Sequence, residues 1–576
     1  MIQFGGGVIS NINLQLGASE YDLFTQNVLT YPAYTYTRRG GRTSVENVRK
    51  DINKIFQFKT SPEKNVFYTS GSSMYRLSGE IVGDDILDPD ELHTFVEIEN
   101  IAFFIGKDND IYKYDGVNPP VVAKYVPRFY YSVNNAIDIT TGSSIATINI
   151  ANANSLFFVG QTVFLEGLTS VYGGNPLNGT FTISAVNTNS IEIDYGTNFN
   201  DTISDSGGTG ILTALLPEQD YPKAQHIEVH RNRLYIISSE QRNRIYASNI
   251  ITDTDDIFFI NFTIPNDILN NSIFSQNNSA FFIDLTTDTG DYNFLHSVGT
   301  NLYIFSDVGV KMWEGQINSG VFKCKTTDSA VNRRAIDSDD GIMFFMGYKN
   351  LYAVSDGSIA VETIGTPNEQ YIKGKENHRA RVKCFDDLVL CNLGDIRNTK
   401  TKLEYITSLN GSSIDFSQIE GLTLVFNKQN ETYTFFTDFN PNDYELVIND
   451  NDLQLWMDFR KQIVRYDETN PLDLVDSINC RVVTHIKFLN KPSDEGVSQI
   501  SRFILLGNRL VSPSVKYKYI NNDADVRWMQ AQAVNQDNDA FRKEYTLEKK
   551  KARGVMVDVS VQNQSGYLNL YGYDFK

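Results

Sequence analysis

The feature that most constrains this chain is a strand–turn–strand unit that keeps returning. Residues 65–77 (NVFYTSGSSMYRL) set the pattern: an apolar run, a small polar turn, then a run carrying an aromatic. It recurs at 101–116, at 232–237 leading on to 244–248, at 301–313 and at 341–357. Weaker copies stand at 387–392 with 403–405, and at 444–448 with 453–456. The Gly, Asp and Asn residues of the turns tolerate the positive φ of a tight hairpin. With one long insertion set aside, the units are spaced roughly 35 to 70 residues apart, the range of propeller blades. A lone hairpin cannot bury its apolar face, whereas stacked blades can. The expected fold is all-β: a β-propeller of six or seven blades. The alternative is an irregular set of β-sandwiches.

Composition agrees with this reading. The 576 residues include 31 Tyr and 36 Phe but only 4 Cys, 6 His and 3 Trp, and aromatic side chains favour the pleated surface of a strand. Hydrophobic residues make up 41% and charged residues 21%, which supports a sizeable core and excludes global disorder. Cys324, Cys384, Cys391 and Cys480 are too few for a disulfide scaffold and too far apart for a C-x-x-C zinc site. Lys and Arg number 51 against 70 Asp and Glu, a net charge of −19. That balance argues against tight binding of duplex phosphates. The start, MIQFGGGV, lacks a basic region followed by an apolar one, and no apolar run approaches the roughly 20 residues of a bilayer span. The expectation is a chain made in a cytoplasm without membrane insertion.

Five segments are expected: 1–44 for docking or closure, 45–131 for the first blades, 132–216 as an inserted small β-barrel or sandwich, 217–490 for the remaining blades, and 491–576 as a C-terminal β module. The insertion is poor in charge and alternates cleanly at 159–167 and 177–186, with another strand at 190–195, as half-buried strands do.

Catalytic motifs do not emerge. His226 and His230 would share a helix face, but the run 231–237 after them reads as strand, which sets the rings roughly 13 Å apart. Ser306-Asp307 leading to Trp313 is close to the Asp-box of sialidase propellers with one residue missing. That box is a blade-turn device, not a catalytic group. No nucleophile elbow, phosphate loop or calcium loop is present. The expectation is no enzyme activity, no metal and no cofactor.

Acidic residues are clustered. Asp84, Asp85, Asp88, Asp90 and Glu91 share one inter-blade loop, Asp253, Asp255 and Asp256 another, and Asp337, Asp339 and Asp340 precede a blade strand. They are ordinary solvated surface or an acidic wall that repels an anionic partner. Basic patches at Arg38, Arg39, Arg42 and at Lys549, Lys550, Lys551, Arg553 are candidate subunit or adaptor contacts, against plain exposure.

Several segments, taken in order, resemble the tail nozzle proteins of short-tailed bacteriophages, also called tail tubular protein B or packaged-DNA stabilisation proteins. These are 34–42, where Gly stands in place of the family's proline after the basic pair, 226–237 with 245–248, 302–313, and 341–346 with 351–354. The stretch 177–183 is similar to small β domains of phage tail tubes, and the matches run from 34 to 460. The resemblance implies a structural virion protein. It implies a ring of six copies, with adaptor proteins above, distal tail or fibre proteins below, and double-stranded DNA passing without tight binding through a channel for which the acidic clusters 84–91, 253–256 and 337–340 are the candidate lining loops. The protein would be part of the virion tail, assembled in the host cytoplasm. A glycan-binding or glycosidase propeller and a tail-fibre adhesin are the alternatives.

Overall fold

The computed structural model describes residues 22–575 apart from some stretches, the longer ones being 31–35, 60–64, 199–209, 252–259, 264–278, 367–378 (Ile372 excepted), 395–420, 489–497, 521–528, 535–541 and 564–568. The fold is all-β and of the propeller class. Among the described residues, five four-stranded antiparallel sheets stand alone, each made of strands consecutive in sequence. Blade I is Lys54–Gln57, Val66–Ser70, Ser73–Arg76 and Ile81–Gly83. Blade II begins at Phe95–Ile98, blade III at Ala224–His230, blade IV at Tyr292–Val298 and blade V at Ile336–Asp339.

Two further blades belong to a larger sheet. Blade VI is Arg381–Phe385, Leu388–Asn392, Leu422–Asn427 and Thr432–Thr437. Blade VII has three consecutive strands, Tyr444–Asn449, Asp452–Phe459 and Gln462–Asp467, and takes its fourth from the other end of the chain, Gly41–Glu46. A strand of six residues drawn from a remote segment closes the blade as a clasp. It pairs antiparallel with Gln462–Asp467 from Gly41↔Asp467 to Glu46↔Ile463, through one register shift. The proposed partner of 387–392 at 403–405 lies outside the described residues. The strand that pairs there is Leu422–Asn427.

The chain divides into two compact units. In the first, blades IV, V, VI, VII and I pack in succession through apolar clusters. Phe305, Met343 and Phe345 join IV to V, Phe344, Val389 and Leu424 join V to VI, Leu390, Phe436 and Met457 join VI to VII, and Ile55, Tyr68 and Trp456 join VII to I. The composition of the strands supplies this: each blade buries both faces, so its central strands are buried throughout, as in Leu422–Asn427 and Asn301–Ser306. The C-terminal strands of the same unit form two sheets over a core of Val482, Phe503, Val557 and Tyr573. The segments Val28–Thr30 and Tyr36–Arg38 add to one of these sheets.

In the second unit, blades II and III share Phe103, Ile227, Leu234 and Ile236. The insertion forms a seven-stranded sheet around Val163, Ile183, Ile191 and Leu212. Its first strand is Arg128–Ser132 and its last Ile211–Leu215, which pair with each other. A two-stranded neck, Lys124–Tyr125 with Gln219–Asp220, sits beneath it. Thr162–Glu166 alternates half-buried and buried positions, as its sequence pattern requires.

Candidate functional site: a charged hub where the blade strands begin

The first strands of blades I, V, VI and VII all begin near one another in the first unit, and charged residues occupy these starts. Lys54 opens blade I, Arg333 and Arg334 precede blade V, Arg381 opens blade VI, and Asn442 and Asp443 precede blade VII. The backbone is cross-tied here, with Val382 N donating to Arg334 O at 2.9 Å and Asn53 N to Thr69 O at 2.9 Å.

Asp443 is the centre of the hub. Its Oδ2 accepts from Ile55 N at 2.8 Å and from Lys54 Nζ at 3.1 Å, and its Oδ1 lies 3.6 Å from Arg334 Nη1. Lys54 Nζ also donates to Glu445 Oε2 at 3.0 Å. Arg334 donates to the carbonyls of Asn53, of His93 at 2.9 Å and of Asn442 at 3.4 Å. Arg381 Nε donates to the same Asn442 carbonyl at 2.6 Å, and its Nη1 to Ala380 O at 2.8 Å. Two guanidinium groups therefore converge on one carbonyl oxygen. Burial and its proximity to Arg334 push Arg381 down to about 9. Asp458 accepts from Asp443 N and from Asn442 Nδ2, each at 3.0 Å. Burial, with the Asp443 charge beside it, pushes its carboxyl up to about 7 despite those donors.

His93 ties the acidic loop to this hub. Its Nε2 lies 2.8 Å from Asp88 O and its Nδ1 2.8 Å from Thr69 Oγ1. A carbonyl only accepts, so Nε2 carries the proton and Nδ1 accepts from the hydroxyl. Burial, reinforced by Arg334 and Arg333, pushes His93 down to about 4, so the ring is neutral. Leu87, fully buried, is the loop's apolar anchor. Asp84, Asp85, Asp88, Asp90 and Glu91 are exposed. Asp84 Oδ1 accepts from Ser73 Oγ at 2.6 Å, and Asp88 Oδ1 from Asp90 N at 3.0 Å.

The other candidate acids differ. Asp337 is ion-paired to Lys383 at 3.3 Å and accepts from Cys384 N at 2.8 Å, while Asp339 is paired to Lys428. These two carboxylates cross-link blade V to blade VI, so their charge is spent inside the unit. Asp340 is exposed in the positive-φ turn. Asp253, Asp255 and Asp256 lie outside the described residues.

The basic candidates also separate. Arg39 and Arg42 are each 1% exposed, which corrects the expectation that they form a contact surface on this chain. Arg42 lies over the Phe459 ring at 3.5 Å and donates to Asp438 O at 2.7 Å, and Arg39 lies over Phe439 at 5.3 Å and Phe436 at 5.5 Å. Stacked guanidinium groups hold the clasp strand against blades VI and VII. Arg38 ends the strand Tyr36–Arg38, and Lys549, Lys550 and Lys551 lie in Arg542–Ala552. Their side chains, and all of Arg553, lie outside the described residues.

His226 and His230 stand on a strand, as expected, buried inside the second unit, where Tyr235, beside the His230 ring, donates to Gly315 O at 2.5 Å. Trp313 is buried at the end of its hairpin, and Ser306 Oγ donates to Gly309 O across the turn at 2.9 Å. Among the described residues no group of His, Cys, Asp or Glu is placed to hold a metal ion, the four cysteines are free and buried, and no helix is long and apolar enough to cross a membrane. Sequence reasoning missed the hub because its members are scattered from Asn53 to Asp458. The doublet Arg333–Arg334 immediately ahead of a blade strand was the one local signal.

No protein family's sequence profile matches the chain, and no curated protein matches it. Among solved structures, it is similar to BamB from Moraxella catarrhalis at 9% identity and TM-score 0.30, covering 74% of this chain and 98% of that one. Kluyveromyces lactis Hsv2 is 8% identical at TM-score 0.27, with 67% and 97% covered. The endosialidase of phage phi92 is 9% identical at TM-score 0.19, with 98% and 69% covered.

Proposed function

We propose that the chain is a structural subunit of a phage tail nozzle, six copies of which surround the exit channel of a packaged genome and help to retain it until ejection. The observation that supports this most is the acidic loop 84–91. Its carboxylates face solvent, Asp88, Asp90 and Glu91 have no ion-pair partner among the described residues, and Leu87 and His93 hold the loop in place. A duplex carries a phosphate charge every roughly 1.7 Å, and each cation it meets adds affinity. A conduit that gripped DNA would stall it, whereas fixed carboxylates repel phosphates and leave a mobile counterion layer. The stacked guanidinium groups and inter-blade ion pairs suit a part that must stay rigid while DNA moves past it. On this reading the chain docks to adaptor proteins on one side and distal tail or fibre proteins on the other.

Electron microscopy of the purified full-length chain, alone and in particles that contain it, tests the proposal. A six-fold ring around an open channel supports it. A chain that stays monomeric at high concentration and is absent from tails sinks it.

A further inference from the structure

Arg333 stands out within the hub. Its Nε is buried without a hydrogen-bond partner, and among the described residues no ion pair or ring contact engages its guanidinium. Nε of Arg334, the next residue, is buried without a hydrogen-bond partner as well. Arg334 and Arg381 are anchored by carbonyl oxygens, Arg334 additionally by Asp443, so both guanidinium groups are fixed in place. Burial, Arg334 and Arg381 all push Arg333 down, to about 9, and Glu91 is the carboxylate that opposes them. A buried guanidinium N–H without an acceptor gives up its solvation uncompensated, and a carboxylate or phosphate is its ordinary partner. The residue is half-buried as a whole, so a small ligand can reach the part of the guanidinium that meets solvent.

We propose that Arg333, backed by Arg334 and Arg381, is a binding site for a phosphate-type oxyanion. Such an anion supplies an acceptor for the guanidinium whose Nε has none and offsets the positive field that Arg334 and Arg381 add there. Glu91 competes with it for the same positive field. Free phosphate and a nucleic-acid backbone phosphate share this chemistry. The inference stands independently of the conduit reading.

The test uses the full chain in a buffer free of multivalent anions. Thermal unfolding is followed on adding inorganic phosphate, with sodium chloride of matched ionic strength as control, and in parallel a short DNA duplex is tested for retention. Phosphate raises the unfolding temperature of the wild type beyond the chloride control, and Arg333→Met weakens that response at least about tenfold in apparent affinity. Glu91→Gln strengthens it. If only the duplex binds, and Arg333→Met abolishes retention, the site is real and its ligand is a backbone phosphate, which would count against the conduit reading alone. Without anion, Arg333→Met unfolds no earlier than the wild type, because burial and two neighbouring cations outweigh the favourable field of Glu91 on the charge that is removed. An equal phosphate response in Arg333→Met, no response to either phosphate source, or a lower unfolding temperature for Arg333→Met without anion overturns the proposal.

Discussion

Replacing Asp443 by Asn tests whether the hub is held by charge or merely tolerates it. The carboxylate is almost fully buried and faces Lys54 Nζ at 3.1 Å and Arg334 Nη1 at 3.6 Å, with both cations largely buried themselves. At an effective dielectric constant of about 20, a pair at this separation is worth about 5 kcal/mol gross, much of it cancelled by desolvation. Asparagine keeps an acceptor for Ile55 N, so the backbone tie survives and only the charge is lost. Lys54 then keeps its pair with Glu445, Arg334 keeps only the weaker fields of Asp458 and Glu445, and the expected loss is about 3–5 kcal/mol. Trp456, buried where blades VII and I meet, reports the change by fluorescence during urea unfolding. A second change, Arg334→Met in the Asp443→Asn background, returns about 1–3 kcal/mol of this as coupling energy, because it removes one orphaned cation. A single-mutant loss below about 1 kcal/mol, or strictly additive effects, would refute the argument that the hub depends on Asp443 for its balance.

Other measurements test the same geometry. Asp458, raised from an unfolded value of 3.8 to about 7, holds a proton in the folded chain that the unfolded chain has lost. Between about pH 4 and 7 stability therefore falls as pH rises, by up to ~1.4 kcal/mol per unit, and Asp458→Asn flattens that slope. His93, lowered from 6.5 to about 4, acts with the opposite sign. Its contribution is intact above pH 6.5 and is lost as pH falls toward 4, so limited proteolysis within 84–91 should accelerate over that window and be insensitive to pH in His93→Gln. Arg42→Ala removes a buried stacked guanidinium and its bond to Asp438 O, and should cost about 2–4 kcal/mol in urea unfolding. An unchanged midpoint would show that the clasp strand does not need it.

The hairpins were legible in the sequence because their cause is local. Residues 301–313 carry an apolar run, a turn and an aromatic run, and they fold as Asn301–Ser306 paired with Gly309–Trp313. The same is true of 341–357 and of the alternating strands of the insertion, whose period of two places every second side chain in a core. Even the strand character of His226–His230 could be read from the β-rich run 231–237 beside it, which pairs back onto it as Arg233–Ser238.

What only the tertiary structure decided is which charges are spent and which are left. Arg39 and Arg42 look like surface cations in sequence, yet pairing Gly41–Glu46 with the remote strand Gln462–Asp467 carries them onto Phe439 and Phe459. Asp337 and Asp339 look like loop acids, but the stacking of blades V and VI gives each a lysine. Arg333, ordinary in sequence, is left with a bare buried Nε where four blades begin. Periodicity and turn chemistry act over a few residues, so the sequence by itself determined blades. The balance of a buried charge depends on whatever the fold sets within a few ångströms, so pairing remained for the tertiary structure to decide.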